Sequence, residues 1–389
     1  NTGRAVYEQD ADERVYPASL TKIMTCLLAL ENGNLSDVVT VSASALEDLD
    51  IDSSVAGLQV GEQMTLENLL YCMMVVSGND ACNVIAEHIA GSVADFVRMM
   101  NQRAYELGCL NTHFSNPHGL HDESHYTTAR DLSTIALEAM KNETFRNTVS
   151  TEATTIQVLR NGQQADVKLE STDVLLGTYD GACGVKTGFT EKAGECFAGA
   201  VQRDGKILYS IVLGSSTEAQ RFTDATTLDD WVYDNTIDYP LVHSNETATY
   251  TTNKGTTATV PVVANVSHSG WMDKTFKATL SDPTASVKVF SLDGNVSQDV
   301  QFDTVSGDVK PGQKVGTVTF YQHNEVVAQQ DLVAAENCPA PNLIEGIGIW
   351  WNRLFAGFSG EKTQADSSVV NTTPLIYGSN ATINTTKEG

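Results

Sequence analysis

The rhythm of hydrophobic and polar positions along the 389-residue chain changes near residue 245. Before that point helical and strand patterns are mixed. Residues 20–31, LTKIMTCLLALE, are apolar on nearly every side, which predicts a helix buried in the middle of a domain and ended by Asn32-Gly33. Thr65 precedes a helical run to Val75, and Ser92 and Thr128 each stand three residues before an aspartate, Asp95 and Asp131, in the manner of N-caps. Gly108 fits the end of the helix that opens after Ser92. Runs at 155–160, 195–203 and 206–213 predict strands, Arg4 to Glu8 reads as another, and a helix over 218–235 closes this half.

From Thr247 to Ala334 the chain is rich in Thr, Val and Ser, with turn signals at Asn253-Lys254-Gly255, Asp293-Gly294-Asn295 and Lys310-Pro311-Gly312, which predicts a small all-β domain. It carries no clustered reactive groups and is expected to be a spacer. Pro339-Ala340-Pro341 breaks the chain, and Ile344, Ile347, Trp351, Leu354, Phe355 and Phe358 follow at helical spacing, an amphipathic helix with Trp350 and Trp351 together. The Ser/Thr/Asn-rich remainder reads as a disordered tail. The expected divisions are thus 1–243, a mixed α/β domain; 244–336, all-β; 337–358, linker and helix; and 359–389, tail.

Composition narrows the partners. With 24 Lys+Arg against 49 Asp+Glu, the net charge of −25 argues against nucleic acid and against electrostatic attraction to an anionic membrane. Seven cysteines follow no CxxC spacing, and most fall in apolar helical runs, where cysteine serves as a small core residue. No apolar run reaches the length of about 18 residues that spans a bilayer. No signal peptide is visible ahead of Asn1-Thr2-Gly3, so a processed start is expected.

Three short strings carry the chemistry, in this order: Ser19-Leu20-Thr21-Lys22, Ser77-Gly78-Asn79 and Lys186-Thr187-Gly188. Serine is a weak nucleophile until a base takes its proton. On a helix, residues i and i+3 share a face, so Lys22 can reach the Ser19 hydroxyl. As a base Lys22 must be neutral, which burial and a second cation, Lys186, would favour. Ser77 can pass a proton towards a leaving amine, and Asn79 can offer its amide to a substrate backbone or to the lysine. The run from Gly184 to Thr190 suits a strand edge, where Gly188 would admit an extended ligand as an added strand. Two decoys, Ser359 to Lys362 and His268-Ser269-Gly270, show that each string alone is weak; order and context give them weight.

With these surroundings the strings resemble the D-alanyl-D-alanine carboxypeptidases among the small penicillin-binding proteins. The resemblance rests on Tyr16-Pro17-Ala18-Ser19-Leu20-Thr21-Lys22-Ile23-Met24-Thr25, on Ser115-Asn116-Pro117-His118-Gly119-Leu120 followed by Thr127-Thr128-Ala129, and on Gly184-Val185-Lys186-Thr187-Gly188-Phe189-Thr190. It implies an antiparallel sheet flanked by helices with a mostly helical subdomain, as in β-lactamases and transpeptidases, followed by a β-sandwich-like domain and a terminal amphipathic helix. It further implies an enzyme, without cofactor or metal, that removes the last D-alanine from peptidoglycan stem peptides through a serine acyl-enzyme and is acylated by β-lactams. Ser19 would be the nucleophile, Lys22 its base, Ser77 and Asn79 the second catalytic element, and Lys186 and Thr187 the binders of the substrate carboxylate. The N–H groups of Ser19 and Phe189 would form the oxyanion hole beside Gly188, and Arg221 matches a family arginine near the carboxylate. The resemblance also implies an extracytoplasmic enzyme resting on the outer face of the membrane through residues 342–358, and a strand upstream of Asn1.

Other readings compete. His118 reads as a loop-packing residue, and His121 and His125 lack the further ligands of a zinc site. A class A β-lactamase carries the same strings together with a glutamate before Leu-Asn. Here Glu106-Leu107-Gly108-Cys109-Leu110-Asn111 is the nearest match, and a helix end at Gly108 explains it. A non-catalytic cell-wall-binding module would have no need of Lys22. Nothing in the sequence sets the oligomeric state or separates carboxypeptidase from endopeptidase action.

Overall fold

The computed structural model describes residues 3–47, 49, 53–251 and 257–376. The chain forms two units, Asn1–Trp231 and Val232–Gly389. In the first, a tight 3-10 turn at Ala18–Thr21 runs directly into α1 (Lys22–Asn32), whose Ile23, Met24, Cys26, Leu27, Leu28 and Ala29 are all buried. Gly33 ends this helix for reasons of space. Its φ is −105°, and a Cβ there would stand 2.4 Å from Leu66 Cδ2. β1 (Val38–Thr40) and β2 (Gln63–Thr65) pair antiparallel, and the Thr65 hydroxyl accepts from the Asn68 amide to start α2 (Leu66–Met74).

Three further helices pack around α1: α3 (Asn79–Ala90), α4 (Val93–Glu106) and α5 (Ala129–Ala139), the last two capped by Ser92 and Thr128 as their sequence pattern predicts. Gly108, just past α4, has φ +79°. After α6 (Glu143–Val149) comes a hairpin of β3 (Ala153–Arg160) and β4 (Gln163–Glu170), which turns at Asn161-Gly162 and completes a sheet of order β1-β2-β3-β4. A second antiparallel sheet follows, β5 (Ala182–Thr190), β6 (Gly194–Arg203) and β7 (Lys206–Ser215), and then α7 (Glu218–Asp234). The strand expected over Arg4–Glu8 does not form. Tyr7 packs edge-on against Trp231 with ring centroids 6.1 Å apart, and Glu8 pairs with Arg130 at 2.5 Å, side-chain contacts that leave this segment outside any ladder. None of the seven cysteines is in a disulfide.

The second unit begins earlier than residue 244, because β8 (Thr236–Pro240) pairs with a strand of the β-domain. It contains β9 (Thr247–Thr251), β10 (Thr257–Pro261), β11 (Ala264–Ser267), β12 (Thr275–Leu280), β13 (Ser286–Phe290), β14 (Val296–Phe302), β15 (Lys314–Gln322), β16 (Glu325–Ala334), α8 (Leu343–Ser359) and β17 (Ser368–Val369). The main sheet has order β14-β15-β16-β12-β11-β17, and β8–β13 and β9–β10 form separate pairs. Tyr239, Val266, Phe276, Val318, Phe320 and Leu332 fill its core.

The segment after α8 was expected to be disordered, but residues 360–376 return to the β-domain. β17 adds to β11, and the buried Asn371 donates to Leu241 O and Gln298 Oε1 and accepts from His243 N. Its amide satisfies backbone groups that a polar composition alone does not reveal. Residues 377–389, Asn1-Thr2 and the turn at Asn253-Lys254-Gly255 lie outside the described residues.

Candidate active site

The first string sits where the 3-10 turn meets α1, so Ser19 stays half-buried while Lys22, one turn on, is fully buried. Lys22 Nζ has three oxygen neighbours: Ser19 Oγ at 2.8 Å, Asn79 Oδ1 at 2.7 Å and the His118 carbonyl at 2.9 Å. The last two can only accept hydrogen bonds. A neutral amine has two N–H bonds and one lone pair, so two donations leave the lone pair for the Ser19 hydroxyl. Burial pulls Lys22 down to about 8, with Cys82 and Asp80 opposing. The neutral form that this hydrogen-bond pattern accommodates is therefore accessible near neutral pH.

The second string ends α2 and opens α3. Ser77 has φ +63°, a left-handed conformation unusual for a residue with a Cβ, and this turn places Asn79 at the first position of α3. Asp80, buried beside it, accepts from the amides of Ala56, Gly57, Leu58 and Ala81, while Asn79 N donates to Ser54 O. One carboxylate thus fastens the 54–58 loop to the turn that carries the second string.

The third string lies on β5 against the 3-10 turn. Gly188 allows this contact: a Cβ there would be 3.0 Å from Ser19 N and 3.2 Å from Ala18 Cβ. Its small size therefore admits the backbone of Ser19. Lys186 is 1% exposed, and burial followed by the charge of Lys22 holds it well below the usual lysine value. Thr187 Oγ1 lies 2.5 Å from Thr172 Oγ1, and Thr172 N donates to Val75 O, tying the third string to the end of α2. Phe189, by contrast, is largely exposed.

Arg221, on α7, is buried. It donates to Gly188 O at 3.3 Å, pairs with Glu195 on β6 and reaches Glu218 at 3.1 Å. Near it Asp173 is pushed up to about 6 by burial, against the Leu175 amide and the charges of Lys186 and Arg221.

The loop 115–120 supports the site from behind. Asn116 Oδ1 accepts from Gly119 N at 2.7 Å, Asn116 Nδ2 donates to Leu120 O, and Thr25 Oγ1 donates to Pro117 O at 2.6 Å. His118 gives its carbonyl to Lys22, while its ring Nδ1 accepts from Leu120 N. Gly119 has φ +94°, and a Cβ there would overlap the Ala18 carbonyl oxygen at 1.8 Å. Glu106, the alternative deacylating base, ends α4 exposed and is engaged with Gln102 and Arg103. The sequence reading names Asn116 only as part of the family-like segment 115–120 and does not point to Thr172, Asp80 or Glu195. Of these three only Asp80 left a signal, as an acidic residue in the first turn of a helix.

A model of the family described as D-alanyl-D-alanine carboxypeptidase matches residues 1–217. The chain belongs to this family. It is 33% identical over 344 residues to the D-alanyl-D-alanine carboxypeptidase DacF of Bacillus subtilis (strain 168), covering 87% of this chain and 83% of that protein. Among solved structures, the Streptomyces K15 DD-transpeptidase superposes with a TM-score of 0.56 at 36% identity, over 59% of this chain and 92% of its own. The D-alanyl-D-alanine carboxypeptidase DacD from Francisella tularensis does so at 0.58 and 26% identity, over 87% and 92%.

The protein is thus a serine-type D-Ala-D-Ala carboxypeptidase of the low-molecular-mass penicillin-binding class, with the fold of the DD-peptidases and a β-rich C-terminal domain. Serine acyl-enzyme formation, β-lactam binding and action on peptidoglycan stem peptides outside the cytoplasm go with this family.

Replacing Gly119 by alanine tests the support behind the turn. The added methyl must displace the Ala18 carbonyl, and a misplacement of about 1 Å costs roughly 10²-fold in rate. Stopped-flow acylation of Gly119→Ala by a fluorescent penicillin is expected to slow by about that factor. A rate equal to wild type would contradict the packing argument.

Proposed function

We propose that Ser19 is the nucleophile of this carboxypeptidase and Lys22 its general base. The observation that carries this is the placement of Lys22 Nζ between Ser19 Oγ and two obligate acceptors. Ser19 Oγ attacks the carbonyl carbon of the penultimate D-alanine as its proton passes to Lys22 Nζ. The N–H groups of Ser19 and Phe189 stabilise the developing oxyanion, a contribution that depends on their being fixed beforehand. The proton held by Lys22 is relayed through the Ser77 hydroxyl to the departing amine of the terminal D-alanine as the C–N bond breaks, which returns Lys22 to its neutral form, and Asn79 orients Lys22. Water then hydrolyses the ester and restores Ser19.

Lys186 and Thr187 receive the substrate's terminal carboxylate. Arg221 adds positive charge and keeps Gly188 in register through its carbonyl. The divisions that follow from this reading are a catalytic part and a β-rich spacer.

Intact-mass measurement after incubation with a penicillin is expected to give one adduct on the wild-type chain and none on Ser19→Ala; an adduct on Ser19→Ala would overturn the assignment. The acylation rate should rise with pH up to about 8, where Lys22 becomes neutral, and level off above it. In parallel, the wild-type enzyme is expected to release D-alanine from a stem pentapeptide.

We further propose that α8 rests on the outer face of the cytoplasmic membrane and that the protein reaches it by secretion. Leu343, Ile344, Ile347, Trp350, Phe355 and Phe358 are all more than half exposed, an apolar surface that costs free energy in water. On another side of the helix Arg353 donates to the carbonyls of Ser269 and Trp271, fixing α8 to the β-domain. Among the described residues no helix is long and apolar enough to cross a membrane, so the expected mode is lying flat. Wild-type protein should float with phosphatidylcholine vesicles and a Trp350→Glu, Phe355→Glu variant should not. Equal flotation of the two would contradict the anchor.

A further inference from the structure

His125 is 2% exposed and takes no part in the catalytic scheme above, yet its ring reaches the catalytic turn. Its Nδ1 lies 3.1 Å from Ser115 N, and a backbone amide can only donate, so Nδ1 carries the lone pair. The Ser115 hydroxyl stands at the same distance from Nδ1. The neutral ring therefore bears its hydrogen on Nε2, which lies 2.8 Å from Thr21 Oγ1. Having accepted there, the Thr21 hydroxyl donates its own hydrogen to Ala18 O at 2.8 Å.

The result is a one-way chain: Ser115 N–H to His125 Nδ1, His125 Nε2–H to Thr21 Oγ1, and Thr21 Oγ1–H to Ala18 O. It ends on a constrained carbonyl. Ala18 has φ +48°, a costly conformation for alanine, and its oxygen is backed by Gly119 with no room for a methyl group. The next peptide unit supplies the N–H of Ser19 and sets the direction of its hydroxyl.

We propose that His125, acting through Thr21, is a positioning residue that holds the Ala18–Ser19 backbone in the conformation required for acylation; this rests on Ser19 being the nucleophile. The first link of the chain, from Ser115 N–H, requires a bare Nδ1. A second ring proton on Nδ1 would face the Ser115 amide, donor against donor, and remove the acceptor on which the sequence of bonds depends. The titratable groups around the ring are Asp122, which favours its protonation, and His113 and His121, which oppose it, while His118 is itself held down by the charge His125 would carry; the Phe114 ring packs edge-on at 5.6 Å. Burial is the largest influence and pulls His125 down to about 4, so the ring is neutral and the relay intact at neutral pH.

Long-range proton–nitrogen NMR of the full-length protein at pH 7 should find His125 protonated on Nε2 and bare on Nδ1; a proton on Nδ1 would overturn the relay. Acylation by a reporter penicillin should then be resolved into its non-covalent binding constant and its acylation rate constant. Thr21→Val and His125→Leu are expected to lower the rate constant by roughly 10- to 100-fold, with binding changed by less than about twofold. Thr21→Ser, which keeps the hydroxyl, should restore most of the rate.

Wild-type acylation by Thr21→Val would overturn the proposal, as would failure of Thr21→Ser to recover the rate lost in Thr21→Val. Failure of the underlying nucleophile assignment is distinguishable, because it would appear as an adduct on Ser19→Ala whatever the Thr21 variants do.

Discussion

Taking the Lys22 amine out of water is the constraint around which the catalytic unit is organised. A lysine with no solvent and three oxygen neighbours has a strictly limited supply of hydrogen bonds, and here two of the three neighbours can do nothing but accept. As an ammonium Lys22 can donate to all three; once it loses a proton, that arithmetic, more than proximity alone, turns the lone pair towards Ser19. It also opposes folding. A fall in pKa from 10.5 to about 8 corresponds to stability on the order of 3 kcal/mol. The unfolded state binds more protons between those values, so this cost is present in full below about pH 8 and is relieved as pH rises towards 10.5. Lys186, buried nearby and pushed in the same direction, adds to it.

The surrounding structure counters this penalty with backbone hydrogen bonds and close packing. Asp80 takes four amides, Asn116 locks the 115–120 loop, and Gly188 and Gly119 let β5 and that loop close on the 3-10 turn from different directions. Left-handed Ala18 and Ser77 stand at the two turns that present the groups proposed as catalytic, and strain of this kind persists only where neighbours over-determine it. Some stability is thereby given up for function, as is common at catalytic centres.

Much of this was legible from residue type and spacing. The buried α1, the caps at Thr65, Ser92 and Thr128, and the left-handed Gly108 are local features, and local features are written in local sequence. What escaped notice depends on distant partners. Thr21 and His125 are 104 residues apart, so no window contains their contact. Thr172, in the loop after β4, meets Thr187 on β5 and the Val75 carbonyl at the end of α2, and the reason for Gly188 became visible only with the turn of Ser19 set against it. The hairpin between β3 and β4 was partly missed although Asn161-Gly162 is a strong turn signal, because the apolar face of β4, Ala165, Val167 and Leu169, is short and alternates with charged and amide side chains. Likewise the polar composition after residue 359 concealed an edge strand and the buried Asn371, since side-chain amides that serve a β-domain resemble those of a disordered tail.

The central claim is that burial makes Lys22, beside Ser19, give up its proton at far lower pH than an ordinary lysine, so that the neutral amine is accessible near neutral pH. Carbon-13 NMR titration of the lysine Cε resonances, with Lys22 assigned by its loss in Lys22→Arg, measures this directly in the full chain. The account predicts a Lys22 midpoint near 8. A midpoint at the ordinary value of 10.5 would contradict it.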